Sequence, residues 1–149
     1  MMSGEGVVNK QVPAIEGWFT WPPSKEPHLI GSRCTSCGDY FFPKASTCRN
    51  PKCMSTQLEE ALLSRRGKLW TYTINYFQPP APYMPPDPFI PYATAVVELE
   101  KEKMRVEGQV VSDYDFEKLK LGMEMELVIE QLYKDKDGNE VMVWKFRPV

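Results

Sequence analysis

The stretch CTSCGDYFFPKASTCRNPKCMST, residues 34–56, holds all four cysteines of a 149-residue chain. Its spacing is C-x2-C-x10-C-x4-C, through Cys34, Cys37, Cys48 and Cys53. A two-residue gap lets both thiolates of a knuckle face one ion, with Zn–S bonds of about 2.3 Å. Gly38, directly after the first pair, suits a tight turn whose amides point at sulfur. Tyr40, Phe41 and Phe42 read as a strand between the knuckles that covers the site. The expected ligand set is therefore four cysteines around a tetrahedral Zn(2+).

Three other uses of the cysteines compete with this one. Disulfides suit an oxidising compartment, and nothing in the sequence suggests export. A rubredoxin-like iron centre uses the same four thiolates, although two short, symmetrical knuckles fit it better. Catalytic zinc keeps an open position beside three protein ligands. Four cysteines fill the shell, so the zinc reads as structural. A lobe of about 25 residues buries too little apolar surface to fold alone. A structural zinc supplies on the order of 10–16 kcal/mol to such a module.

On the amino-terminal side, residues 1–12 read as unstructured. Pro13 opens PAIEGWFTW, which the pattern makes a short helix stopped by Pro22 and Pro23, with Ile15, Trp18 and Phe19 on one face. That face either packs on its own chain or docks on a partner, which makes Trp18 and Phe19 candidate partner-binding residues.

On the carboxyl side the reading turns to strands. GKLWTYTINYF alternates Leu69, Thr71, Thr73 and Asn75 against Trp70, Tyr72, Ile74 and Tyr76. PYATAVVELE and KMRVEGQVV follow as two more, joined by a charged turn. SDYDFEKLKLG suggests a helical turn capped by Ser112 or Asp113 and leaving through Gly122. MEMELVIEQLY and EVMVWKFRP then pair around KDKDGN, where Asp137-Gly138 is a hairpin signal. Five strands with a short helix between the third and fourth is the plan of an OB-fold barrel, with an SH3-like barrel as the competing topology. The expected fold is mainly β: a tail and short helix over 1–30, a rubredoxin-like zinc ribbon over 31–58, and a five-stranded OB-fold over 59–149.

The formal charge is −2, but residues 1–70 carry net +3 and residues 71–149 net −5. An anion site is thus expected in the first half, where SRRGK is either a plain basic strand end or supplies Arg65, Arg66 and Lys68 as candidate contacts to the phosphates of a nucleotide-bearing ligand such as coenzyme A, or of RNA. Residues 78–92, QPPAPYMPPDPFIPY, hold seven of the fourteen prolines. So many prolines preclude a regular ladder and favour a stiff excursion that loses little entropy on docking. Its Tyr83, Met84, Phe89 and Ile90 either contact a partner or ligand or fold back on the chain's own barrel. No run approaches the roughly 18 apolar residues of a membrane span, no secretory signal is visible, and a cytoplasmic protein is expected.

Catalytic equipment is sparse. The single histidine, His28, reads as a surface residue, and with every cysteine assigned to metal no Cys–His pair remains. No serine lies in a nucleophile-elbow motif, and no phosphate-binding glycine loop is present. The chain is expected to have no activity alone.

The ordered series C-x2-C-G, an aromatic-Pro segment, a second cysteine pair, RRGKLWTYTINY, PYATAVVELE, LKLGMEMELVIEQ and a closing FRPV resembles a known family. These are the zinc-ribbon plus OB-fold proteins long grouped as a domain of unknown function and associated with acyl-CoA metabolism. The resemblance spans residues 15–149; the C-x4-C knuckle and the long proline stretch depart from it. Members pair with thiolase-like proteins: acetoacetyl-CoA thiolases, steroid side-chain aldolases of thiolase fold, and the thiolase of anaerobic toluene (benzylsuccinate) β-oxidation. The resemblance implies an accessory subunit in a hetero-oligomer built on a thiolase dimer, with acyl-CoA at or near the interface and the catalytic Cys and His in the partner. The competing reading is a single-stranded nucleic-acid module with Trp70, Tyr72 and Tyr76 as stacking platforms. The acidic second half speaks against it, because phosphate binding needs a basic groove.

Overall fold

A computed structural model describes residues 10–22, 26–76 and 90–149. Its strands are β1 (Gln11–Pro13), β2 (Ile30–Cys34), β3 (Tyr40–Phe41), β4 (Leu58–Leu62), β5 (Arg66–Asn75), β6 (Tyr92–Leu99), β7 (Arg105–Val110), β8 (Glu124–Lys134) and β9 (Glu140–Pro148). One 3-10 turn, Phe116–Lys118, lies between β7 and β8.

The barrel is laid down by period-two burial. Along β6, Ala93, Ala95, Val97 and Leu99 are buried, while the alternate residues are half-exposed. Strands β5, β6 and β7 form an antiparallel meander. The return from β7 runs through the 3-10 turn to the β8–β9 hairpin, and β9 lies parallel to β7 at Gln109–Lys145 and Val110–Phe146. Strand β8 pairs with β5 at Arg66–Glu126, Gly67–Met125 and Lys68–Glu124, which closes the five-stranded ring. This is the OB-fold order, with the helical turn between the third and fourth barrel strands. Leu69, Val97, Leu99, Met125, Leu127 and Phe146 are essentially fully buried inside it. Each such side chain contributes about 1.5–3 kcal/mol on burial.

The alternation expected along β5 is broken in the middle. A bulge between Leu69 and Thr71 shifts the register against β6. Gly67 and Leu69 are buried before it, whereas Tyr72 and Ile74 are the residues packed on the core after it. An extra residue flips which parity faces inward. Trp70 sits at the flip, 48% exposed, with the Arg105 guanidinium 3.8 Å above its ring.

The expected amino-terminal helix is not formed. Residues 11–13 instead extend β9 as a parallel edge strand, opposite Glu140, Val141 and Met142. The Ala14 amide donates to the Met142 carbonyl at 2.7 Å, so Gln11 and Val12 are ordered as well. Beyond them Gly17 has φ +83°, which no helix accepts, and Phe19 forms an antiparallel bridge with Leu29. A free edge on β9 and the Gly17 reversal outweigh the proline signal. The 3-10 turn is capped by Asp115, whose carboxylate accepts from the Glu117 amide at 3.0 Å, in place of Ser112 or Asp113. At the β8–β9 hairpin Asp135 accepts from the Asp137 and Asn139 amides, both at 2.9 Å, and Gly138 has φ +83°.

The second sheet, β3-β2-β4, carries the cysteines. β4 pairs with β2 from Leu58 to Leu62, so residues 59–62 lie in this sheet.

Candidate metal centre and its surroundings

Strand β2 ends on Cys34, and the chain turns so that the Gly38 amide reaches the Cys34 carbonyl at 2.8 Å, with Gly38 at φ +85°. That turn aims the Cys37 and Ser36 amides at the Cys34 sulfur and the Asp39 amide at the Cys37 sulfur. The irregular second knuckle builds the same device two residues late. The Met54 amide donates to the Asn50 carbonyl at 3.0 Å, and Met54 takes the positive φ, 52°, that Gly38 has in the first. The Asn50 side chain accepts from the Lys52 amide at 3.0 Å and donates to Asp39 at 3.1 Å, tying the knuckles together. Cys48 and Cys53 receive amides from Asn50 and Ser55. The wide gap is thus accommodated by an Asx turn.

The four sulfurs lie within 4.8 Å of one another, with Cys34–Cys53 at 3.7 Å and Cys37–Cys48 at 3.6 Å. A tetrahedron with Zn–S bonds of about 2.3 Å has edges of about 3.8 Å. Two of the edges already have that length, and the donor set suits zinc as a closed structural site. The amide of Cys37 pulls the Cys34 thiol down to about 6 against the opposing effect of burial, with the Ser36 amide adding to the pull. Burial pushes the Cys48 thiol up. A cation offsets the cost of gathering four such charges.

Packing ties the lobe to the barrel. Ser32 is buried and holds the inter-knuckle loop, its hydroxyl accepting from the Ala45 amide at 2.9 Å and donating to the Ala45 carbonyl at 3.2 Å. Phe42 turns away to meet Trp18 and Trp144 edge-on at centroid distances of 5.3 and 5.6 Å. Phe19 is 2% exposed and spent on the chain's own core, and Trp18 is half-buried against Trp144. His28 is no free surface group: its Nδ1 meets the Leu63 carbonyl at 2.8 Å, bracing the segment that joins ribbon to barrel.

The three cations of SRRGK are not gathered into one free anion site. Arg65, with a side chain 18% exposed, donates to the carbonyls of Pro27 (3.1 Å) and Leu127 (3.4 Å) and pairs with Glu126 at 3.6 Å. Arg66 pairs with the same carboxylate at 3.6 Å, and Arg147 at 2.9 Å. Lys68 is exposed, in register with Glu98 and Glu124. The Arg147 hydrogen bond, aided by Arg65 and Arg66, holds the Glu126 carboxyl below its ordinary range despite partial burial. Tyr83, Met84 and Phe89 lie outside the described residues, and Ile90 is 64% exposed. No described helix is long and apolar enough to cross a membrane.

Two residues escaped the sequence reading. Trp144 and Lys145 sit side by side in β9, in the EVMVWKFRP segment whose pattern predicts only a strand. Yet Lys145 is only 5% exposed. A lysine between two aromatics in an otherwise apolar strand was the available signal.

Comparison with known proteins agrees with this geometry. Residues 20–59 match the family model described as ChsH2, rubredoxin-like zinc ribbon domain, and residues 60–130 match ChsH2, C-terminal OB-fold domain. A DUF35 domain-containing scaffold protein of Methanocaldococcus jannaschii is 36% identical over 133 residues, 87% of this chain and 89% of the relative. Benzoylsuccinyl-CoA thiolase subunit BbsA of Thauera aromatica is 30% identical over 125 residues, 84% of this chain and 79% of that one. Among solved structures, a chain of the Ltp2-ChsH2(DUF35) aldolase superposes with a TM-score of 0.61 at 26% identity, covering 81% of this chain and 84% of that one.

Proposed function

Because the chain belongs to the DUF35 family of zinc-ribbon and OB-fold proteins, we propose that it is a non-catalytic accessory subunit of a thiolase-type complex acting on acyl-CoA. It stabilises a thiolase-fold partner and helps to form that partner's acyl-CoA site. The observation that carries the reading is the agreement between relatives and chemistry. Relatives matched over most of their length are named as a scaffold and as a thiolase subunit, and a solved neighbour belongs to an aldolase assembly. In this chain the four thiols converge on one closed cluster and the imidazole is engaged with a backbone carbonyl. Sulfur and imidazole are thereby committed to structure, which leaves nucleophile and base to the partner.

In this reading the partner meets the exposed Ile90 and the apolar side chains of the proline-rich stretch, Tyr83, Met84 and Phe89. Arg66 and Lys68 are the cations left to face a coenzyme A phosphate, since Arg65 is engaged internally. The assembly is a hetero-oligomer built on a thiolase dimer, in the cytoplasm. The test is to mix the zinc-loaded chain with the thiolase-fold protein of its own source. Co-elution on gel filtration and a rise in acyl-CoA cleavage are expected; separate elution of two intact proteins would overturn the proposal.

A further inference from the structure

The chain's own barrel has a cleft of about 200 Å³ where β6, β7 and the 3-10 turn meet the β8–β9 pair. Its wall is largely apolar, with Val111, Tyr114 and Phe116 on one side. Polar side chains line it as well, among them Gln109, Ser112, Gln131 and Lys145. Gln109 and Lys145 are directly opposite each other across the β7–β9 pairing. An apolar cleft with a few convergent polar groups is the ordinary form of a small-molecule site.

Lys145 is the unusual member. As a residue it is 95% removed from solvent, and a charge carried on so enclosed a side chain is stabilised by a group of opposite charge. Among the described residues its ion pair is with Glu130, at 3.7 Å, which is longer than a hydrogen bond, and the Glu130 side chain is 37% exposed. The ammonium has three donors and a loosely held counter-charge. Charge, apolar wall and volume together describe the ligand that would complement the cleft: small, apolar and anionic at one end.

We propose that this cleft binds a small organic acid, with its carboxylate on Lys145 and its apolar body against Val111, Tyr114 and Phe116. At about 30 Å³ per water, the cleft has the room of about seven waters. That suits a free short-chain acid and excludes a whole nucleotide-bearing thioester. Glu130 swings into solvent as the ligand carboxylate takes its place, so the ligand exchanges one ion pair for a shorter one. The site lies in this chain alone and does not depend on the accessory-subunit reading.

The probe is sodium hexanoate, titrated into the zinc-loaded, nitrogen-15-labelled chain and followed by amide chemical shifts, with 1-hexanol as the uncharged match. For so few atoms a dissociation constant on the order of 1–10 mM is expected. Shifts should centre on Gln109, Val111 and Gln131. Hexanol should bind roughly tenfold more weakly, the worth of a charge-assisted hydrogen bond. Lys145→Met should reduce hexanoate to the level of hexanol, and Glu130→Gln should tighten hexanoate by removing the competitor. Equal binding of hexanoate and hexanol to the native chain, or no localised shift up to about 50 mM, overturns the proposal. That comparison needs no variant, so it stands even where Lys145→Met does not fold.

Discussion

The indoles of Trp18 and Trp144 stack with centroids 6.0 Å apart and planes 28° from parallel. Trp18 belongs to the segment before the ribbon, Trp144 to the last barrel strand, and Phe42 of the ribbon contacts both rings edge-on. Three parts of the chain with separate folding problems thus share one aromatic joint. Aromatic pairs of this geometry contribute about 0.5–1.5 kcal/mol each beyond the area they bury. The joint also anchors the polar end of Trp144, whose Nε1–H donates to the Glu107 carbonyl at 2.9 Å.

Trp144→Ala should therefore cost about 3 kcal/mol, the lower end for a large aromatic, because the ring is only partly buried. Trp144→Phe keeps the ring contacts but loses the donor, and should cost about 1 kcal/mol. Urea unfolding followed by circular dichroism checks the order. If the two variants prove equally stable, the stacking contributes nothing.

Gly108 presses against the same joint from β7. A Cβ built there stands 2.9 Å from Trp144 Nε1 and 3.0 Å from the Phe146 ring. Gly108→Ala should displace one of them and destabilise by about 1–3 kcal/mol, the usual range for overpacking. The signature is a lost indole N–H hydrogen bond, read as a shift of one tryptophan side-chain signal by NMR. A variant as stable as the parent, with that signal in place, sinks the idea.

Glu126 makes stability depend on acid. Its folded pKa is depressed below the unfolded value near 4.5, with the Arg147 hydrogen bond as the largest cause. A depressed carboxylate contributes stability above the unfolded pKa and loses it as pH falls through the folded value. Stability should thus be flat above about pH 5.5 and decline below pH 4.5. Glu126→Gln should flatten that decline and lower stability at neutral pH. The cost lies between the roughly 0–1 kcal/mol of an exposed pair and the roughly 3–5 of a buried one. Unfolding curves at several pH values decide it; an unchanged slope in the variant refutes the assignment.

Much of this was legible in the residues. Cysteine spacing gave the donor set, since a closed four-sulfur shell needs only local turns. Period-two patterning gave all five barrel strands, because each has one face in the core. What stayed hidden depends on contacts distant in sequence. The segment after Pro13 predicts a helix because its own residues permit one, while the free β9 edge that captures Gln11–Pro13 lies more than a hundred residues on. The β5 bulge was invisible for the same reason: Trp70 fits either face until β6 fixes the register. Arg65 read as a free cation because the Pro27 and Leu127 carbonyls that hold it are remote.

A partner surface makes a separate prediction. Ile90 is 64% exposed and not part of the core cluster. Ile90→Asp should leave the unfolding midpoint within experimental error while weakening binding to the thiolase-fold partner by tenfold or more, as for a desolvated apolar anchor. Titration of the partner by isothermal calorimetry separates the two effects. Unaltered affinity would remove Ile90 from the interface.

Metal removal tests the joint from the other end. Metal analysis should find one zinc per chain, since the four sulfurs offer one tetrahedral site. The ribbon has little apolar core of its own, and its Phe42 reaches the joint only while the knuckles hold β3 in place. The barrel keeps a core made by its own strands. Chelation should therefore move tryptophan emission to longer wavelength as water reaches Trp18 and Trp144, while most of the far-ultraviolet β signal remains. Zinc should restore the emission, and Cys53→Ser should show the shifted spectrum with a much weaker response to zinc, three thiolates being left. The same change should accompany Phe42→Ala with zinc still bound, because the ring, not the metal, touches the indoles. Should chelation leave the emission where it was, the ribbon does not hold the joint, and its zinc serves that lobe alone.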